Sequence, residues 1–267
     1  MFQQKEYFPG VRHIQDSMGV CMTLLTGSKR AILIDTGYGL ENTAEYIRSL
    51  TALPVDVLLT HGHHDHVLGA AWFPGTQMAE EDLDEFRLRT GREQREKVAS
   101  QAAQKGLSVP PDFMTRPIRE PEKLTMNEDI AGFAARTEDL GGMKIQILHV
   151  PGHTEGSIIL YLPEYRLLLT GDDWNPCTWL WFPCSIGVQE WRHNMEKLLD
   201  RIPFEYTLCS HQLTLKGRHD PEHFIRFMTD KVLKEAPPAD MGSSINTHQV
   251  LTDDGQALVF DYDKFSG

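Results

Sequence analysis

The chain has no run approaching ~18 uninterrupted apolar residues, so no segment reads as a membrane-spanning helix. Its first residues, Met1-Phe2-Gln3-Gln4-Lys5-Glu6, lack the basic-then-apolar pattern of a secretory leader, which predicts a cytoplasmic protein. Basic clusters are missing too. Acidic residues outnumber basic ones 38 to 26, for a net charge of −12. Nucleic-acid binding relies on Lys and Arg to release counterions from phosphate, so no nucleic-acid partner is expected. Four cysteines occur (Cys21, Cys177, Cys184, Cys209), none in a C-x-x-C pair, which predicts free thiols. With 267 residues, roughly 70–75% of the unfolded surface can be buried, so the core needs no such staple. What the chain does have is histidine, twelve in all and clustered.

Hydrophobic periodicity predicts an α/β protein. Strands at 20–25 and 30–35 flank the turn Thr26-Gly27-Ser28-Lys29, and a helix at 41–50 precedes a buried strand at 55–60. A second series places strands at 144–150, 157–162, 166–170 and 206–209, with a helix at 188–199. Asp220 as N-cap and Pro221 as first residue predict a helix to about 234, and a last strand is expected at 257–262. Between the two series, residues 79–106 read as exposed helices, the mixed charges of 80–97 forming a solvated face. Residues 107–121 carry four prolines and read as a loop. The expectation is one domain over 1–267 with a helical and loop insertion at about 79–121, either surface decoration or a lid.

The chemistry concentrates in Thr60-His61-Gly62-His63-His64-Asp65-His66, directly after a predicted strand. Pro151-Gly152-His153-Thr154 follows the strand at 144–150, Gly171-Asp172 the strand at 166–170, and Ser210-His211 the strand at 206–209. Each ligand-type residue thus lies just past a strand's C-terminal end, where open α/β sheets form clefts. Imidazoles and carboxylates converging there suit zinc, iron or manganese.

Together with the turn Asp35-Thr36-Gly37, these motifs resemble the metallo-β-lactamase-fold hydrolase superfamily, with a glyoxalase II-like and lactonase-like ligand set. The resemblance implies a four-layer αββα sandwich: two mixed β-sheets flanked by helices, with a dinuclear centre at one edge. It implies that His61, His63 and His153 hold a first metal, Asp65, His66 and His211 a second, and that Asp172 bridges them. Two Zn2+ are the default, with iron or manganese as alternatives. The implied activity is hydrolysis of a small ester, thioester or lactone by a metal-bridging hydroxide, which Asp65 orients or relieves of its proton. Phosphodiesterase or nuclease activity is the first alternative, and the acidic charge counts against it. A mononuclear-iron persulfide dioxygenase using His61, His153 and Asp172 is the second. A β-lactamase ranks lower, because Asp172 is present and a leader is not.

Around this set, Trp174, Trp179, Trp181 and Phe182 fall within the nine residues 174–182, shortly after Asp172. They read as an apolar wall for an acyl or aromatic group, or as core packing. Tyr38, in the turn after Asp35, is positioned to donate to a developing oxyanion. Asp35 is expected to orient backbone or a ligand imidazole, His64 to point away, and His149 to be buried and satisfied. The expected partner is a small-molecule substrate. The oligomeric state stays open, with room for a homodimer.

Overall fold

Alternation along each strand sends successive side chains to opposite faces, and here the two faces meet different neighbours. The computed structural model describes residues 1–265. One seven-stranded sheet runs in the order Gln3–Phe8, Val11–Gln15, Cys21–Thr26, Ala31–Ile34, Val55–Leu58, Gln77–Met78, Glu122–Lys123. Its first four strands pair antiparallel and the last three add in parallel. A second runs Lys216–Gly217, Tyr206–Leu208, Leu167–Leu169, Ile158–Leu162, Lys144–His149, Phe133–Asp139, Glu128–Ile130. Only Leu167–Leu169 and Tyr206–Leu208 pair in parallel there, so both sheets are mixed.

Side-chain parity builds the layers. Ile32, Ile34 and Leu58 of the first sheet meet Ile145, Ile147, Ile158, Leu160, Leu167 and Leu169 of the second, forming the central core. The residues between them on the first sheet, Ala31, Leu33, Val57 and Leu59, turn outward onto Ile47 of the helix Thr43–Leu50 and onto Phe86. On the second sheet Leu148, Ile159, Tyr161 and Leu168 turn outward onto Trp191, Met195 and Leu198 of the helix Val188–Arg201. Helix, sheet, sheet, helix is the expected αββα order, and apolar burial in all three interfaces is its main support.

Three features depart from the sequence-based expectation. A small third sheet joins Cys177–Leu180, Ala257–Asp261 and Thr247–Leu251. Its strand Cys177–Leu180 lay hidden in a Pro-containing aromatic stretch, and its partner lies about eighty residues further along the chain. The helix near Asp220 spans His219–Phe227 with Arg218 at its N-cap, and a separate helix, Asp230–Lys234, follows. Thr229 caps that second helix through Val232 N, which restarts the chain, while Asp220 accepts from Gly217 N instead of capping. Finally, the charged stretch at 80–97 is not wholly solvated: Asp82 and Arg95 are buried within it. No helix among the described residues is long and apolar enough to cross a membrane.

Candidate metal centre

Four strand ends deliver the ligand-type residues to one edge of the sandwich. Val55–Leu58 leads to His61 and the short helix His64–Val67; Lys144–His149 leads to His153, Leu167–Leu169 to Asp172, and Tyr206–Leu208 to His211. Donor atoms of His61, His63 and His153 lie within 4.8 Å of one another, as do those of Asp65, His66, Asp172 and His211. Asp172 Oδ2 reaches both groups, 3.6 Å from His153 Nε2, 3.6 Å from His66 Nε2 and 2.9 Å from His211 Nε2. All seven residues expected to bind metal are therefore brought together.

Hydrogen bonds fix which nitrogen of each ring faces the centre. Asp35 closes the strand Ala31–Ile34 at φ +61°, a left-handed conformation that costs energy for a residue with a side chain. In return its carboxylate accepts from Thr60 N (2.7 Å), Thr60 Oγ1 (2.8 Å) and His66 Nδ1 (2.9 Å). Thr60 Oγ1 in turn accepts from His61 Nδ1 at 3.0 Å. His153 Nδ1 donates to Trp179 O at 2.6 Å, and His63 Nε2 faces Glu85 Oε1 at 3.3 Å. In neutral His61 and His153 the opposite nitrogens are then left as lone pairs. His153 Nε2 then meets His63 Nδ1 at 2.8 Å, which brings two ring nitrogens from different turns to one spot. His61 Nε2, His66 Nε2 and Asp172 Oδ1 are buried without a hydrogen-bond partner among the described residues. Orphaned polar atoms in two adjoining clusters of imidazoles and carboxylates are what divalent cations satisfy, so the donor set fits bound metal.

The charge states divide along the same line. Burial, reinforced by the neighbouring imidazoles, holds His61 well below the usual histidine range and His153 at about 3. Both are thus neutral, the form that binds metal. Burial also opposes charge on His66 and Asp172, yet their mutual attraction and their other partners outweigh it. Asp65, Asp172 and Asp35 raise His66, while His211 and His66 hold Asp172 well below the usual carboxylate range. At this second group a proton and a metal ion compete for one place.

The centre opens into a cavity of about 430 Å³. Tyr38, His64, Arg89, Trp179 and Phe182 line it beside the ligand-type residues. Burial, then the Asp65 carboxylate, pushes the Tyr38 phenol up, so its hydroxyl stays protonated and able to donate. Trp179, more than one-third exposed, and Phe182, 4.5 Å from the His63 ring, put aromatic surface on the cavity lining. Two other tryptophans differ. Trp174 is fully buried in the core beneath the second sheet, with Nε1 bonded to Gln256 Oε1 at 3.2 Å, so it does not reach the cavity. Trp181 stacks on Phe182 from behind the lining. His64, expected to point away, faces the cavity with its ring edge-on to Tyr38. His149 is half-buried and meets Glu155 O at 3.0 Å.

The model of the metallo-β-lactamase superfamily matches residues 18–218, about three-quarters of the chain. The chain belongs to the metallo-β-lactamase superfamily. Among curated relatives of this superfamily member, a β-lactamase-like protein 2 homolog of Drosophila melanogaster is 30% identical over 195 residues, covering 67% of the chain and 54% of the relative. The acyl-coenzyme A thioesterase MBLAC2 of Gallus gallus is 27% identical over 198 residues, covering 67% and 66%. The hydroxyacylglutathione hydrolase GloC of Haemophilus influenzae is 30% identical over 157 residues, covering 57% and 65%. The chain thus spans between about half and two-thirds of the length of these relatives. A metallo-β-lactamase of Pontibacter korlensis superposes with a TM-score of 0.57 at 18% identity, covering 86% of this chain and all of that one. That likeness concerns the fold alone.

Several residues that shape the centre were not anticipated. Asp82, buried just ahead of the helix Leu83–Thr90, accepts from Gly62 N (2.7 Å), Thr154 Oγ1 (2.8 Å) and Gly156 N (2.8 Å). It ties the His61–His63 turn to the His153 turn. Asp173 accepts from His153 N at 2.6 Å; Cys184, weighed from its place beside the aromatic loop as a possible metal ligand, has its Sγ 3.5 Å from His63 Nε2 beside Glu85. The spacing of Asp82, Glu85 and Arg89 about the buried Leu83 and Phe86 is the one sequence signal that puts charges on the apolar face of this helix.

Proposed function

We propose that the chain is a dinuclear metal-dependent hydrolase of thioesters and related esters. The observation that carries this reading is Asp172: one carboxylate oxygen stands within 3.6 Å of donor atoms from both ligand groups. In the proposal His61, His63 and His153 would hold one ion and Asp65, His66 and His211 the other, with Asp172 within reach of both groups. Zinc suits this donor set, iron and manganese also fit, and the bound pair supplies Lewis acidity and a water acidified towards neutral pH.

The chain's own groups do the rest. Asp65 is held at about 2 despite burial, because His66, His64 and His211 surround it. It stays ionised and can orient the attacking water or accept its proton. Tyr38 can donate its hydroxyl to the oxyanion that grows on the attacked carbonyl. Trp179 and Phe182 give an acyl group an apolar surface and keep bulk water off the centre. Thioesters are favoured among ester-type bonds because relatives at 27–30% identity are named as an acyl-coenzyme A thioesterase and a hydroxyacylglutathione hydrolase.

The test is purification with metals quantified, followed by parallel assays of acyl thioesters, lactones, aryl phosphodiesters and a chromogenic β-lactam. Two metal ions per chain with thioester turnover support the proposal. Turnover of phosphodiesters alone, or one iron with oxygen uptake, overturns it.

A further inference from the structure

The cavity wall on the His63 side narrows the substrate class, an inference that rests on the hydrolase reading above. Arg89 lies near the end of the helix Leu83–Thr90, and its side chain lines the cavity with about one-fifth of its surface exposed. Its Nε donates to Glu85 Oε1 at 2.5 Å, and the same oxygen lies 3.3 Å from His63 Nε2. One carboxylate oxygen therefore separates the guanidinium from a ligand imidazole. The guanidinium carbon also stands 5.6 Å from the Phe182 ring centroid, which braces its plane. Neither terminal nitrogen of Arg89 makes a hydrogen bond among the described residues. No other Arg or Lys among the described residues lines this cavity. Gln101, from the helix Arg92–Gln104, adds an amide to the lining.

An arginine tied at Nε and braced on an aromatic face presents its two terminal nitrogens as a pre-organised fork, the geometry that pairs bidentately with an oxyanion. A tie serving only to hold Glu85 against His63 would not need those two nitrogens left without a hydrogen bond beside the cavity. We infer that Arg89 recognises an oxyanion carried by the substrate. The thioester this chain cleaves then bears a carboxylate, sulfate or phosphate, reached across the apolar surface of Phe182 and Trp179.

Two matched thioester pairs test this on the metal-loaded protein. One pair differs only in a terminal carboxylate or carboxamide on the thiol, and the other differs likewise on the acyl group. Wild type is expected to prefer the anionic member of one pair by roughly 10- to 100-fold in kcat/KM, chiefly through KM. In Arg89→Met that ratio falls to within about threefold, and Arg89→Lys, a point charge without the fork, lies between. Metal content is measured for each variant because Glu85 touches His63. No preference in either pair, a preference that Arg89→Met leaves intact, or a preference lost only together with bound metal overturns the inference. If neither pair is cleaved, the hydrolase reading fails instead. Calorimetry of the carboxylate-bearing thiol product then still decides Arg89: unchanged binding in Arg89→Met refutes it, and weakened binding supports it.

Discussion

Replacing Asp82 by alanine removes the carboxylate that ties the His61–His63 turn to the His153 turn. Two backbone N–H groups, Gly62 and Gly156, lose their acceptor, and so does the Thr154 hydroxyl. The hydroxyl has an alternative, since Ser157 Oγ lies 3.0 Å away. The two N–H groups make no other hydrogen bond, and each buried donor left unsatisfied costs about 1–3 kcal/mol. Against this stands relief from burying a carboxylate, a cost visible in the raised pKa of Asp82. The balance is a loss of about 2–4 kcal/mol, or about 2–4 °C in Tm for each kcal/mol in a chain of this size. Collapse has little room to repair the gap: a Cβ on Gly62 would stand 2.9 Å from Phe86 N, and one on Gly156 2.9 Å from Asp82 Cβ, an atom the alanine keeps. Both turns already press on this segment. The freed turns should also bind the first metal about 10- to 100-fold more weakly, the usual effect of losing an outer hydrogen-bonding partner. Thermal melting of the metal-free protein and chelator competition measure the two effects separately. Asp82→Asn should recover little, because its amide nitrogen meets donors where an acceptor is required. Wild-type melting and wild-type metal affinity in Asp82→Ala would refute the bridging role.

Other outcomes follow from the same geometry. Trp174→Ala should cost about 3–5 kcal/mol of stability, whereas Trp179→Ala should leave melting near wild type and raise KM; equal melting losses in the two would contradict their placement. Asp172→Ala should lower metal stoichiometry below two and hydrolysis by orders of magnitude, and a variant that keeps both ions and full turnover would remove the bridge from the proposal. Burial holds His13 at about 4 against an ordinary 6.5, so the folded chain binds fewer protons there than the unfolded one. Its contribution is complete above pH 6.5 and drains away as pH falls towards 4, by up to about 3 kcal/mol. His13→Gln should flatten that part of the stability–pH curve, and an unchanged slope between pH 6.5 and 4 would rule His13 out as its source.

How much of this was legible in sequence depended on how local each signal was. The histidines and Asp172 stood out because each lies within a few residues of a short apolar strand, and strand ends are set by local alternation and glycine turns. Parity explains the layers equally well: Ile32 and Ile34 face inward because Ala31 and Leu33 face outward. The aromatic stretch could not be divided this way. Trp179 is exposed because the strand Cys177–Leu180 buries Thr178 and Leu180 instead, but its partner strand, Ala257–Asp261, comes from the far end of the chain. Without that pairing no register distinguishes Trp179 from the buried Trp174. The charged helix failed for the opposite reason. Its composition is that of a solvated surface, and only contact with Gly62, Thr154 and Gly156 makes Asp82 an interior residue. The same contacts bear on the start of the segment: Asp82 ties two ligand turns, Glu85 stands against His63 and Arg89 lines the cavity wall, so residues 82–89 are part of the centre's surroundings. A lid can open without disturbing the ligands beneath it. Lifting residues 82–89 away would break the hydrogen bonds by which Asp82 holds the His61–His63 and His153 turns.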